Sequence, residues 1–194
     1  MPITTIPMVN EGGSVEVDGN GTLMAKKSSI LNRNRNPGWT QEDAEAYFSK
    51  YLGVDNFIWL KGAAGTDITD DHIDGTARFA PNNTIVTFFR DDFVDRREYD
   101  VLKQATNTKG ESYKIVHLPL TTKKVVNRDY GFYINFYVGN EVVLMPCFDD
   151  PNDEVAKNTL QGVYPDRKIV MVPMKEVLKD GGMMHCVTQQ QPLA

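Results

Sequence analysis

Cysteine and histidine are scarce in this chain: two and three residues, respectively, out of 194. Two cysteines, Cys147 and Cys186, cannot build a disulfide framework, and they read as reduced thiols of a cytoplasmic protein. The histidines His72, His117 and His185 show no zinc-ligand spacing with them, and no EF-hand loop with its central glycine occurs. No zinc or EF-hand calcium site is therefore expected. A basic excess is lacking too. Lys and Arg number 21 against 26 Asp and Glu, a formal charge of −5, which disfavours nucleic acid and mildly favours a cationic partner. No apolar run is long enough to cross a membrane, and Met1-Pro2-Ile3 lacks the basic start of a signal peptide. Gly19-Asn20-Gly21 lacks the spacing of a phosphate or dinucleotide loop. The basic stretch Asn32-Arg33-Asn34-Arg35-Asn36-Pro37 has no interleaved aromatics and reads as a surface loop.

What is present is an ordinary globular composition, 41% apolar and 24% charged, enough for one domain over residues 1–194. A pattern recurs along it: hairpin, helix, strand. In the first unit Ser14-Val15-Glu16-Val17 alternates, Asp18-Gly19 turns, and Thr22-Leu23-Met24-Ala25 returns. Thr40 caps a helix to about Leu52 with Asp43 as its capping-box partner, Gly53 stops it, and residues 56–60 form a buried strand. The second unit has strands at 76–80 and 84–89, a helix near 95–106 and a strand at 113–118. The third has strands at 133–138 and 141–145, a helix near 152–161 and a strand at 168–172. The turns at Gly19, Asn82 and Gly139 recur at roughly sixty residues, as repeated supersecondary units do. The expected units are 10–62, 72–120 and 130–175, with a terminal strand at 183–192 that carries Cys186. Residues 5–9 read as the tail of an earlier unit.

The chemistry gathers in two segments. On a strand, His185 and Cys186 point to opposite faces, so a base for Cys186 has to be His72 or His117. His72 is the better choice, because Asp74 shares its face in an extended segment and supports an imidazole. Asp67, Asp70, Asp71 and Asp74 read either as a solvated acidic turn or as a site that waits for a cation. Gly12 and Gly13 after Glu11 form either a plain turn or a close backbone approach. Asn135 in the aromatic strand 133–137 either ties a loop or faces a ligand. Cys147, among apolar neighbours, reads as a structural thiol.

Glu11-Gly12-Gly13, residues 32–37, the G-x-x-x-T-x-x-H-x-D stretch within residues 65–79, residues 133–137 and the H-C-x-T-Q-Q-Q-P stretch within 181–192 resemble, in order, the agmatine deiminases and bacterial-type peptidylarginine deiminases. The resemblance implies a pentein α/β propeller of five ββαβ units. It implies a guanidine hydrolase with Cys186 as nucleophile, His72 as acid/base, Asp74 as a guanidinium clamp, and Glu11 and Asn135 near the substrate. The substrate would be a small cationic guanidine: agmatine, or else the arginine side chain of a protein. Two departures stand out. Asp71 occupies the position before the histidine where the family carries glycine, and the W-x-R-D-x-G-P segment with a second clamp aspartate is absent. The chain is thus expected to hold about three of the five units, with a second copy or a missing N-terminal half completing the ring. A non-catalytic remnant that binds guanidinium compounds or a full-length partner is the reading from another class. A Cys-His amidase of different ancestry would need a helix N-terminus at Cys186.

Overall fold

Asp18 opens the first hairpin by accepting the backbone N–H groups of Asn20 and Thr22, at 2.7 and 2.9 Å, while Gly19 and Gly21 take the left-handed conformations the turn needs. The molecule is a computed structural model that describes residues 5–88, 96–126 and 129–190. The hairpin strands are β1 (Val15–Val17) and β2 (Thr22–Lys26). A short helix, α1 (Lys27–Ile30), follows, and then α2 (Gln41–Leu52). The expected capping box is formed: Thr40 and Asp43 exchange side-chain-to-backbone bonds, and Gly53 ends the helix with left-handed φ of 68°. The helix carries the chain back so that β3 (Asn56–Leu60) pairs parallel to β2, as a crossover must. Every residue of β2 is buried, and it is covered on both faces.

The plan repeats. β4 (Ala77–Ala80) and β5 (Thr84–Phe88) form a hairpin around left-handed Asn82 and Asn83, and α3 (Arg96–Gln104) leads to β6 (Lys114–Leu118), parallel to β5. The starts expected at 76 and 113 each move by one residue, and residues 89 and 95 lie outside the described part. An unforeseen hairpin follows, β7 (Leu120–Val126) with β8 (Asp129–Phe132), its register broken twice. The third unit is β9 (Tyr137–Val138), β10 (Val142–Cys147), α4 (Asn152–Val163) and β11 (Lys168–Pro173), again with the last two strands parallel. A short helix, α5 (Lys175–Lys179), precedes the C-terminal segment.

Three expectations are corrected. Residues 133–136 are not strand: Tyr133 and Ile134 form a turn, and Asn135 and Phe136 sit in irregular backbone. The segment from 183 is not a strand either. It makes a 3-10 turn, His185–Val187, and residues 191–192 lie outside the described part. Residues 5–9 form no strand. Apolar side chains fall into three neighbouring cores, one around Leu23, Ile30 and Phe48, one around Ile58, Ile73 and Ile85, and the largest around Tyr133, Phe136 and Met145.

Candidate active site

One local device supplies most of the site. Short 3-10 turns stand at Gly12–Ser14 before β1, at Ile73–Gly75 before β4, and at His185–Val187 near the C-terminus. Glu11 and His72 are the residues that enter the first two turns, and Asp74 lies within the second. Asn135 occupies the corresponding place before β9. A 3-10 turn has three residues per revolution, so adjacent side chains diverge by about 120° rather than the 180° of a strand. That difference overturns the strand argument about His185. Both His185 and Cys186 face Asp74.

Asp74 is the hub and is 2% exposed. Its Oδ2 lies 2.9 Å from His185 Nδ1 and 3.7 Å from Cys186 Sγ. Asn135, fully buried, is the strut. Its Oδ1 accepts the backbone N–H groups of His185 and Cys186 at 2.8 and 3.3 Å, and its Nδ2 donates to the Asp74 carbonyl at 3.3 Å. Of the two readings open for Asn135, tying a loop is the one its contacts fill, though its Oδ1 also lies 3.5 Å from the sulfur. His72 turns its Nε2 to Glu11 Oε2 at 2.7 Å. Gly13 is the close approach, not a plain turn. A Cβ there would stand 2.5 Å from Asp74 Oδ2 and 2.7 Å from His72 Nδ1, so only glycine fits between them. His117 is elsewhere, exposed on β6 with its Nε2 2.9 Å from the Tyr99 hydroxyl.

The loop at 32–37 lies on the surface at Arg33, Asn34 and Pro37, as expected, but Arg35 and Asn36 turn inward. The Arg35 side chain is only 8% exposed. Its Nε and Nη2 grip both oxygens of Glu11 at 2.9 and 3.2 Å, Nη1 donates to Asp70 at 2.5 Å, and Nη2 also donates to the Thr69 carbonyl at 3.0 Å. Asn36 is buried and bonds to Val9 and Ile30 backbone. Nothing in the composition of the loop marks Arg35 as buried. The acidic turn is not a helix and not merely solvated. Asp70 and Asp71 have φ of 58° and 71°, left-handed backbone that costs an L-residue roughly 1–2 kcal/mol. Asp71 thus holds a conformation glycine would take freely, and Lys26 Nζ is 2.5 Å from its Oδ1.

Electrostatics divide the site. Desolvation, reinforced by the Asp74 charge, pushes the Cys186 thiol above its ordinary range although the residue is exposed. Cys147, half-buried near Asp153 and Asp149, is pushed the same way. Burial works against ionising Glu11, but the Arg35 and His72 hydrogen bonds win and hold its carboxyl low. Asp70 is held low by Arg35 and the Gly65 N–H. A cleft of about 420 Å³, a size suited to a small molecule, is lined by Cys186, His72, Asp74 and Asn135 among others, with Phe132 as apolar wall. Glu11 lies behind His72, outside that lining. Among the described residues no group of three or more His, Cys, Asp or Glu side chains is placed to hold a metal. No described helix is long and apolar enough to cross a membrane.

The arrangement offers a thiol, an imidazole and a buried carboxylate around one cleft, which suits nucleophilic attack on a cationic carbon. Several known proteins resemble the chain. Agmatine deiminase of Pseudomonas syringae pv. tomato is 35% identical over 210 residues, covering 95% of this chain and 57% of the relative. The structure of Enterococcus faecalis agmatine deiminase catalysing its reaction superposes with TM-score 0.87 at 30% identity, over 97% of this chain and 58% of that one. A cysteine-to-serine variant of C. jejuni agmatine deiminase with substrate bound gives 0.80 at 26% identity, over 93% and 56%. The chain thus spans somewhat over half the length of the relatives it matches. A dimethylarginine dimethylaminohydrolase and an amidinotransferase of saxitoxin biosynthesis from Microseira wollei share only the fold, with TM-scores of 0.51 and 0.54 at 14% identity. The fold is accordingly a pentein-type mixed α/β fold, of which the three ββαβ units are described above. The family profile of Porphyromonas-type peptidyl-arginine deiminase matches residues 1–192, and the chain belongs to that family.

Proposed function

We propose that this chain carries the nucleophile-bearing part of a guanidine hydrolase of the agmatine deiminase type, which converts agmatine and water to N-carbamoylputrescine and ammonia. The observation that carries the reading is the meeting of Cys186, His185 and Asn135 with Asp74, residues drawn from three distant segments. The raised thiol has a natural counterpart in this chemistry. A guanidinium entering beside Asp74 brings the positive charge that favours the thiolate. The sulfur attacks the guanidinium carbon and the thiol proton passes to His72. His72 gives a proton to the departing nitrogen, the C–N bond breaks, and ammonia leaves an amidino thioether on Cys186. His72 then takes a proton from water. The hydroxide adds to the same carbon, the C–S bond breaks as His72 returns its proton to the departing sulfur, and the ureido product leaves after losing its remaining proton to solvent. Asp74 holds the guanidinium in place. Glu11, occupied by Arg35 and His72, supports His72 rather than reaching the substrate itself. The whole reaction is placed in the cytoplasm, with no cofactor, and the rest of the ring comes from sequence outside this chain or from a second copy.

The family name keeps peptidyl-arginine as the second substrate class. One assay separates the readings. A full-length protein containing this chain should release ammonia from agmatine faster than from an arginine-containing peptide, and Cys186→Ser should lower turnover roughly a hundredfold or more, since a hydroxyl ionises far less readily. Faster release from the peptide reverses the substrate assignment. Turnover within about tenfold of wild type in Cys186→Ser, about 1.4 kcal/mol of barrier, removes Cys186 as nucleophile.

A further inference from the structure

Asp70 and Asp71 stand directly before His72, both with left-handed backbone at φ of 58° and 71°. Such a pair of L-residues persists only where its surroundings hold it. Each aspartate is clamped by a buried cation from the first ββαβ unit. Arg35 Nη1 reaches Asp70 Oδ2 at 2.5 Å, and Lys26 Nζ, on a side chain 3% exposed at the end of β2, reaches Asp71 Oδ1 at 2.5 Å. Main chain closes both clamps from the other side. Gly65 N–H donates to Asp70 Oδ1 at 2.7 Å and Ala63 N–H to Asp71 Oδ2 at 3.1 Å.

We propose that Lys26 and Arg35 are positioning residues, which pin the strained Asp70-Asp71 turn and so set where the His72 ring meets Glu11. The argument is one of coupling. A buried ammonium or guanidinium requires a counter-charge. Here the counter-charges are carried by the two residues whose backbone is strained. Releasing a clamp lets residue 71 relax towards negative φ, and the following peptide and His72 turn with it. The Lys26 cation also has Glu98 at 3.6 Å, so removing the Asp71 carboxylate does not leave it alone, and backbone and charge effects can be separated.

The role in turnover rests on the deiminase reading. The ring position does not, and it is measured independently. Asp71→Gly and Asp71→Ala both delete the carboxylate, but only glycine enters the left-handed region freely. The imidazole ¹⁵N shifts of His72 at fixed pH should match wild type in Asp71→Gly and move in Asp71→Ala. In the full-length protein kcat for agmatine should be about tenfold to a hundredfold lower in Ala than in Gly, as expected for a misplaced catalytic group, with similar KM. Lys26→Met should displace the shifts as Ala does, and Lys26→Met/Asp71→Gly should return them. Ala and Gly variants that are indistinguishable, or a Lys26→Met protein with wild-type His72 shifts, overturn the proposal. So do raised KM values with unmoved shifts, which assign Asp71 to the substrate instead. If Lys26→Met does not fold, the double variant decides: native shifts uphold the proposal, and displaced shifts or an unfolded chain end it. If no full-length variant turns over any guanidine, the deiminase reading fails while the ring shifts still give their answer.

Discussion

At the scale of single residues, the site turns on Asp74, which must serve two groups with opposed needs. Its buried carboxylate accepts from His185 and stands 3.7 Å from the Cys186 sulfur. Desolvation and that same negative charge hold the thiol above its ordinary range. Asp74 raises the thiol both through its charge and through its hydrogen bond, so deleting that charge lowers the thiol pKa. Asp74→Asn should therefore speed iodoacetamide labelling of Cys186 at pH 8 severalfold, read by mass spectrometry of its peptide, while turnover of agmatine is lost. Slower labelling in Asp74→Asn would mean that the carboxylate acts as a base for the sulfur, not as a charge beside it. Cys186 and His72 were legible as candidates from residue type and order, whereas Asp74, expected to support the His72 imidazole, bonds His185 instead while His72 meets Glu11. His185 was not, because a strand was assumed and a strand separates neighbours by 180°. Arg35 was not either, because burial of a loop cation depends on partners 24 and 35 residues away in sequence, which no local pattern displays.

At the scale of elements, the 3-10 turns before β1 and β4 decide the geometry more than any strand does. They pack closely because Gly13 lacks a side chain where Asp74 and His72 crowd its position. Gly13→Ala should displace both, since neither the buried Asp74 nor the tethered His72 can move freely. A shift near 1 Å costs about a hundredfold in rate, and that loss is expected in kcat with the fold retained by circular dichroism. An Ala variant as active as wild type would place the working His72 and Asp74 farther from this turn. The elements that the sequence displayed well were those with local chemistry: the capped helix from Gln41 to Leu52, the hairpin at Gly19, the strand from Asn56 to Leu60. The 3-10 turns are three residues each and leave no period to read. The aromatic run 133–137 looked like strand because β-propensity follows packing, and Tyr133, Ile134 and Phe136 are packed in the core from irregular backbone.

At the scale of the whole molecule, the repeat was visible as recurring hairpin, helix and strand, but what joins the units to one another was not. Arg78 on β4 does much of that joining. Its side chain is 5% exposed, pairs through Nε with Glu16 on β1, which is 8% exposed, and donates through Nη1 to the Phe136 carbonyl before β9. Glu16 in turn accepts the Phe79 N–H at 3.3 Å, and the Arg78 guanidinium lies 5.0 Å from the Phe136 ring centre. One cation thus connects all three units. Removing it alone leaves a buried carboxylate without a counter-charge, a change that typically costs about 3–5 kcal/mol, whereas removing both charges together is far milder. Arg78→Met should therefore lower the stability of this chain by about that amount in urea unfolding, and Arg78→Met/Glu16→Gln should recover much of it, because the amide oxygen can still accept from Phe79 without carrying charge. The unfolding slope against urea separates two ways of losing stability. An unchanged slope means that the units still unfold together, and a shallower one means that they have come apart. A single variant that costs less than about 1 kcal/mol, the range of an exposed pair, would show that water reaches this junction and that packing alone holds the three units in register.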